Sequence, residues 1–219
     1  MAKKTPFLDV SGVADTLNKI QKTFSTCDVV FDRTLKDMSS RAHGQVASAV
    51  TSVYGIKKGD IKYKKGFSKA AAGNIFTQGD NLATFELIYT GRVLTPLHFG
   101  MTPTVRPEKK KYKVKAKILK SGKKKGFIKP AELEEGKGVF LAPAGGSGSK
   151  EIPWFRHSKD KFNITPIKTL SLPQMIGPTE DGKWKGNPEV QKMIGEKLGD
   201  LLEKRYNNHL KQHLKKNLK

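Results

Sequence analysis

The chain has 219 residues with 42 Lys and Arg against 20 Asp and Glu, a formal charge of +22, and is long enough for one large domain or two small ones with a real core. Its hydrophobic content of 36% is low but falls in periodic segments, unlike a disordered chain. A lone cysteine, Cys27, excludes an intrachain disulfide framework and thiolate metal sites; no apolar run reaches the length of a membrane span, and MAKKTPFLDV lacks the core of a signal peptide, so a protein of the cytoplasm, or of a particle assembled there, is expected, with no membrane partner.

Residues 7 to 54 read as helical. Val13, Leu17, Ile20 and Phe24 follow helical spacing behind Asp9 or Ser11 as a cap. From Asp28 to Tyr54, Val30, Phe31, Leu35, Met38, Ala42, Val46, Ala49, Val50 and Val53 recur at three- and four-residue intervals, with Gly55 as a stop. A break near Thr26–Cys27 and a single long helix both fit. IKKGDIKYKKGFSKAAAG then reads as a basic loop or a short helix with frayed ends. Asn74–Gln78 and Ala83–Tyr89, joined through Gly79-Asp80-Asn81, read as a hairpin.

Leu94 to Pro107 is an irregular stretch punctuated by Pro96, Pro103 and Pro107, with Leu97 and Phe99 turned inward. The lysine-rich strand and its turn Ser121–Gly126 follow. Phe127-Ile128, Val139–Leu141, Trp154-Phe155-Arg156 and Ile164–Leu170 are further strand candidates, the last ending at Pro173, and Ala142–Lys150 is a loop by composition. After a Gly/Pro-rich connector, Gly177–Pro188, a final helix carries the stripe Val190, Ile194, Leu198, Leu201, Leu202, Tyr206, Leu210 and Leu214. Basic residues in its last turns complement the helix dipole. The expected fold is α+β: a central, mostly antiparallel sheet with a long N-terminal helical region and a C-terminal amphipathic helix. The whole chain, 1–219, is expected as one domain, with helices in 7–54, the sheet region in 73–173 and the last helix in 187–217.

Between Arg106 and Lys129 stand twelve basic residues and one acid, Glu108, so this window supplies +11 of the surplus. Within KKKYKVKAKILK, Tyr112, Val114, Ala116 and Ile118 alternate with Lys111, Lys113, Lys115 and Lys117. A period of two sets a row of ammonium groups on one strand face and the apolar set on the other. Neighbours about 7 Å apart along that face lie within a Debye length of one another. Two readings stay open: a polyanion partner, or a solvated face whose lysines discourage edge-to-edge aggregation. The surplus is 36 Lys to 6 Arg, which suits hydrated, sequence-indifferent contact with a phosphate backbone rather than base reading.

Enzyme chemistry finds little support. His209 and His213 have the i,i+4 spacing of a metal pair, but no acidic third ligand is expected nearby and lysines crowd the helix end. Cys27 lacks a local base. Gly145–Ser149 is followed by EIPWF and not by a helix, so a flexible loop is expected there rather than a phosphate cradle. Glu132, Glu134 and Glu135 are too close in sequence to converge on one point. Asp28, Asp32 and Asp37 pair more naturally with Arg33, Lys36 and Arg41 along one helix than with a metal. No catalytic residue, metal or cofactor is expected.

Read in order, several features resemble one family. They are the long N-terminal helix, GIKKGDIK after Tyr54, a hairpin leading to LTPLHF (Leu94–Phe99), the lysine strand, Gly126-Phe127-Ile128, Phe155-Arg156, PIKTLSLPQM (Pro166–Met175) and a basic C-terminal helix. Together, over roughly residues 27 to 219, this looks like the prophage minor tail protein Z family, the tail-completion proteins of lambda-like siphophages. PIKTLSLPQM and the helix after it are the most specific parts; the Gly/Ser loop at 143–150 and the lysine bias are not family features.

The resemblance implies a structural virion protein at the head-proximal end of the tail, assembled in the host cytoplasm. It would complete the tail, support head–tail joining and touch the genome end. The implied partners are further copies in a ring, neighbouring tail and connector proteins, and double-stranded DNA bound without sequence preference. Expected nucleic-acid contacts are Lys57, Lys58, Lys62, Lys64, Lys65, Lys109, Lys110, Lys111, Lys113, Lys115, Lys117, Lys123, Lys124 and Lys125; the expected assembly interface is Val190, Ile194, Leu198, Leu201, Leu202 and Tyr206. The alternative is a free, sequence-nonspecific nucleic-acid-binding protein, ribosome- or nucleoid-associated, for which the charge is sufficient warrant.

Overall fold

The computed structural model of the chain describes residues 28–63, 72–79, 84–108, 112–122, 125–126, 139–145, 150–158, 160, 163–178 and 185–217. They form an α+β fold whose strands fall into three small sheets, antiparallel except for one pair. The chain divides into two compact units. One is built from the described residues of Met1–Val50, Ile61–Gly91 and Leu172–Lys219, the other from those of Thr51–Asp60 and Arg92–Ser171.

Helix α1 (Asp28–Val53) is one continuous helix. Its buried residues Val30, Leu35, Met38, Ala42, Val46, Ala49 and Val50 form the stripe that the spacing predicts. Thr34, also buried, satisfies its hydroxyl by donating to Val30 O at 2.7 Å. The earlier helical run from residue 7, and the break at Thr26–Cys27, lie outside the described residues.

The first unit continues with β1 (Ile61–Lys62), β2 (Gly73–Gln78) and β3 (Glu86–Thr90). β1 runs parallel to β2, a pairing the sequence did not signal. β2 and β3 form the expected antiparallel pair, in register from Asn74 opposite Thr90 to Gln78 opposite Glu86. Gly79, just after β2, has φ 121°, and a Cβ there would lie 2.2 Å from Thr84 O; only glycine fits. Ile75 and Tyr89, directly opposite, are both fully buried, and burial pushes the Tyr89 phenol up to about 12.

The unit closes with α2 (Leu172–Ile176) and α3 (Pro188–Asn217). α2 was not foreseen, because Pro173 read as a strand stop. In the first turn of a helix its missing N–H costs nothing, and its fixed φ suits the helix. Leu172, Met175 and Ile176 are fully buried. α3 begins as the sequence predicts: Asn187 Oδ1 accepts from Glu189 N at 2.9 Å and Val190 N at 3.4 Å, a side-chain cap followed by Pro188.

In the second unit, Tyr54 and Ile56 are buried, and a 3-10 turn spans Lys58–Asp60. A second such turn, Pro96–Phe99, holds Phe99 at 1% exposure and half-buried Leu97, matching the inward placement expected of both. The remaining strands are β4 (Lys115–Ala116), β5 (Lys125–Gly126), β6 (Phe140–Pro143), β7 (Glu151–Arg156) and β8 (Ile164–Pro166). β6 runs to Pro143, so Ala142 and Pro143 belong to a strand rather than the expected loop; Ala144 N then donates to Lys150 O.

The strand expected over Ile164–Leu170 keeps β7 as its partner as far as Ile167, whose N donates to Pro153 O at 2.8 Å. Beyond it the chain changes partner: Thr169 N and Oγ1 both donate to Leu94 O, at 2.7 and 2.9 Å. Phe127-Ile128 lies outside the described residues.

Candidate nucleic-acid interface

The lysine segment is extended and alternates as its sequence requires. Lys113 and Lys115 are exposed, Val114 and Ala116 are 3% exposed, and Lys117, Ile118 and Tyr112 are half-buried. Val114 packs with Met101 and Leu141 in a core that Leu97, Tyr112 and Val139 border, and Tyr112 Oη accepts from Leu141 N at 3.1 Å. The apolar face is therefore fixed inward, which turns Lys113 and Lys115 out.

Regular strand pairing is short, but the segment is bonded on both flanks. On one side Thr102 and Lys115 exchange both main-chain hydrogen bonds, and Lys117 N donates to Phe99 O at 3.0 Å. On the other, β4 pairs antiparallel with β5, and further along Gly55 N donates to Ile118 O and Lys120 N to Val53 O, each at 2.8 Å. This is not an edge strand, so its lysines do not guard an open edge, which removes the aggregation-blocking reading for Lys115 and Lys117.

Of the other expected contacts, Lys57 and Lys58 are exposed in the same unit, and Lys62 is exposed but belongs to the first unit. Lys64, Lys65, Lys109, Lys110, Lys111, Lys123 and Lys124 lie outside the described residues. Lys125 is described only through its main chain, in β5. Lys120 is exposed in the lysine segment and was missed. A strict count of two assigns it to the inner face, but the chain turns at Lys120–Ser121 and breaks the period.

The assembly-interface expectation is corrected. Val190, Ile194, Leu198, Leu201, Leu202 and Tyr206 are between 0 and 8% exposed within the single chain. Tyr206 packs on Phe31 of α1, ring centroids 5.6 Å apart. An amphipathic stripe signals burial without saying against what; here it is the core of the chain itself. Past Tyr206 the stripe emerges: Leu210 is half-buried and Leu214 is 47% exposed.

Asp37, Asp60 and four of the five histidines make side-chain pairs. Asp37 takes Arg41 at 3.7 Å, as expected for i,i+4, and also Arg205 at 3.6 Å and His209 Nε2 at 3.2 Å, both from α3. An acid does sit beside His209, contrary to the sequence reading, but three cationic or imidazole groups already share it. Among the described residues no group of three His, Cys, Asp or Glu converges as a metal site would need. His43 stacks on Tyr63, ring centroids 4.6 Å apart, and His157 Nε2 lies 2.6 Å from Thr165 Oγ1. His98 Nδ1 is 3.7 Å from Asp60 Oδ2. Burial holds the His98 pKa below its ordinary value, outweighing the Asp60 charge that favours the proton; Arg92 and Lys150 oppose it further. Cys27, Glu132, Glu134 and Glu135 lie outside the described residues.

No protein-family model, no curated protein and no solved structure matches the chain. Among the described residues, no helix is long and apolar enough to cross a membrane.

Proposed function

We propose that the chain is a structural virion protein of a tailed phage. It completes the tail at its head-proximal end, supports head–tail joining and touches the genome end without reading sequence. The observation that carries the DNA contact is the outward row at Lys113 and Lys115, raised from a segment bonded on both flanks. Ammonium groups fixed to a rigid backbone gain screening from duplex DNA, which carries one charge per about 1.7 Å of axis. The place in the virion rests on the resemblance of LTPLHF, PIKTLSLPQM and the C-terminal helix to the minor tail protein Z family.

Ring formation rests on that resemblance alone, since the stripe of α3 is spent inside the chain. The test is to replace Lys113, Lys115 and Lys117 with Ser in the virus that encodes the chain. Particles that incorporate the variant but fail to join heads or retain DNA support the proposal; full infectivity contradicts it. A polypeptide absent from purified virions, yet bound to cellular nucleic acid, supports the alternative of a free nonspecific binder.

A further inference from the structure

The sheet β6-β7-β8 carries a second surface. Antiparallel register sets Phe140 opposite Trp154, Trp154 opposite Pro166, and Arg156 opposite Ile164. Directly paired residues share a face, and residues two apart along a strand share it too. Phe140, Ala142, Ile152, Trp154, Arg156, Ile164 and Pro166 thus lie on one face; Ile152 is buried at 8% exposure, and the other six are half-buried. The opposite face carries Leu141, which packs with Val114 in the core. The aromatic face and the lysine row therefore turn away from each other on the two sides of that core.

Two contacts prepare this face. Trp154 Nε1 donates to Ala142 O at 3.2 Å, so the indole edge is satisfied and its orientation fixed by the neighbouring strand. The Arg156 guanidinium sits over the Phe140 ring, 5.2 Å from its centroid, which holds a planar fork of N–H donors on this face. Glu151, the one acid of β7, falls on the other face by alternation.

We propose that this face is a stacking platform for unpaired nucleotides, with Trp154 receiving a base and Arg156 the adjoining phosphate. Aromatic rings accept any base, because every base has a π-face, and a nearby cation tracks the backbone. Charge decides between occupants. A chain of net charge +22 with a guanidinium on a face whose described strand residues include no acid suits a polyanion better than an uncharged proline-rich peptide. The inference deepens the proposed nucleic-acid contact and rests on it, but uses a different surface from the lysine row.

The experiment uses the full chain with Trp184→Phe, which leaves Trp154 as the only tryptophan. A single-stranded oligothymidylate, a duplex of equal length and a proline-rich peptide are each titrated against its fluorescence. Single strands should quench Trp154. Trp154→Ala should weaken single-strand binding by about 5- to 150-fold, the range for losing one stacked base. Trp154→Phe should restore most of the affinity, which separates stacking from any loss of folding, and duplex binding should hardly change. Arg156→Gln should make single-strand binding less salt-dependent.

Unchanged single-strand affinity in Trp154→Ala, with duplex binding intact, overturns the platform and leaves the proposed function standing. Quenching by the peptide alone also overturns it. No binding to either nucleic acid overturns both the platform and the proposed DNA contact.

Discussion

Thr102 and Lys115 face each other across an antiparallel bridge, Thr102 N donating to Lys115 O at 2.8 Å and Lys115 N to Thr102 O at 2.9 Å. This reciprocal pair fixes both the register and the facing of the lysine segment. With Val114 and Ala116 held in the core, a slip of one residue would bury Lys115 and expose both apolar side chains. Charge density at Lys113 and Lys115 is thus set by packing on the other side of the backbone.

Because these side chains carry little of the packing, Lys113→Ser with Lys115→Ser should leave stability within about 1 kcal/mol of the native chain. Adding Lys117→Ser should cost somewhat more, since Lys117 is half-buried and its stem covers apolar surface. Chemical denaturation checks this; a destabilisation above about 2 kcal/mol for the first pair would make them structural.

Gly55 should not tolerate a side chain. A Cβ there would lie 2.2 Å from Lys117 O, in the place where Gly55 N reaches Ile118 O. Gly55→Ala should destabilise by about 1–3 kcal/mol through forced displacement of the lysine segment. Gly44, inside α1, has nothing within 4 Å of its Cβ position, so Gly44→Ala should stabilise by roughly 0.5–1 kcal/mol. Denaturation midpoints moving in opposite directions confirm the pair; equal shifts contradict it.

Leu198 and Leu202 separate a core role from an interface role. At 3% and 1% exposure, Leu198→Ala and Leu202→Ala should each cost about 2–5 kcal/mol in the unassembled protein. If they served only as contacts between copies, the monomer would melt unchanged and only its association would weaken.

Much of the fold was legible because the two long helices, α1 and α3, and the lysine segment repeat their apolar residues at a single period. The stripe Val30–Val50, the alternation at 112–116 and the start of α3 near Asn187 all follow from local spacing. What could not be read depends on partners far away in sequence. Asp37 has three cationic residues on its own helix, and nothing local says that Arg205 and His209, 168 and 172 residues further on, will also meet it. Likewise Phe140, Trp154 and Arg156 become one surface only through strand register. The stripe of α3 was read correctly as apolar and wrongly as an interface, since periodicity gives the buried face and never its cover.

His98 gives the second unit a pH dependence. Its folded pKa lies below the ordinary 6.5 because burial disfavours the charged ring. As the pH falls below about 6.5, the unfolded chain takes up a proton that the folded chain refuses, so stability drops with pH across that window and is fully present above it. His98→Gln should flatten this part of the stability profile. An unchanged slope between pH 7 and 5, measured by denaturation (a window of about two units around the ordinary value), would show that His98 titrates alike in both states.

The salt dependence of duplex DNA binding probes the lysine row most directly. Affinity should fall steeply with salt for the native chain. For Lys113→Ser, Lys115→Ser, Lys117→Ser the slope of log K against log salt should be shallower by about 2 to 3, near 0.9 for each phosphate that is no longer neutralised. Identical slopes for the two proteins would mean that these ammonium groups face water and not phosphate.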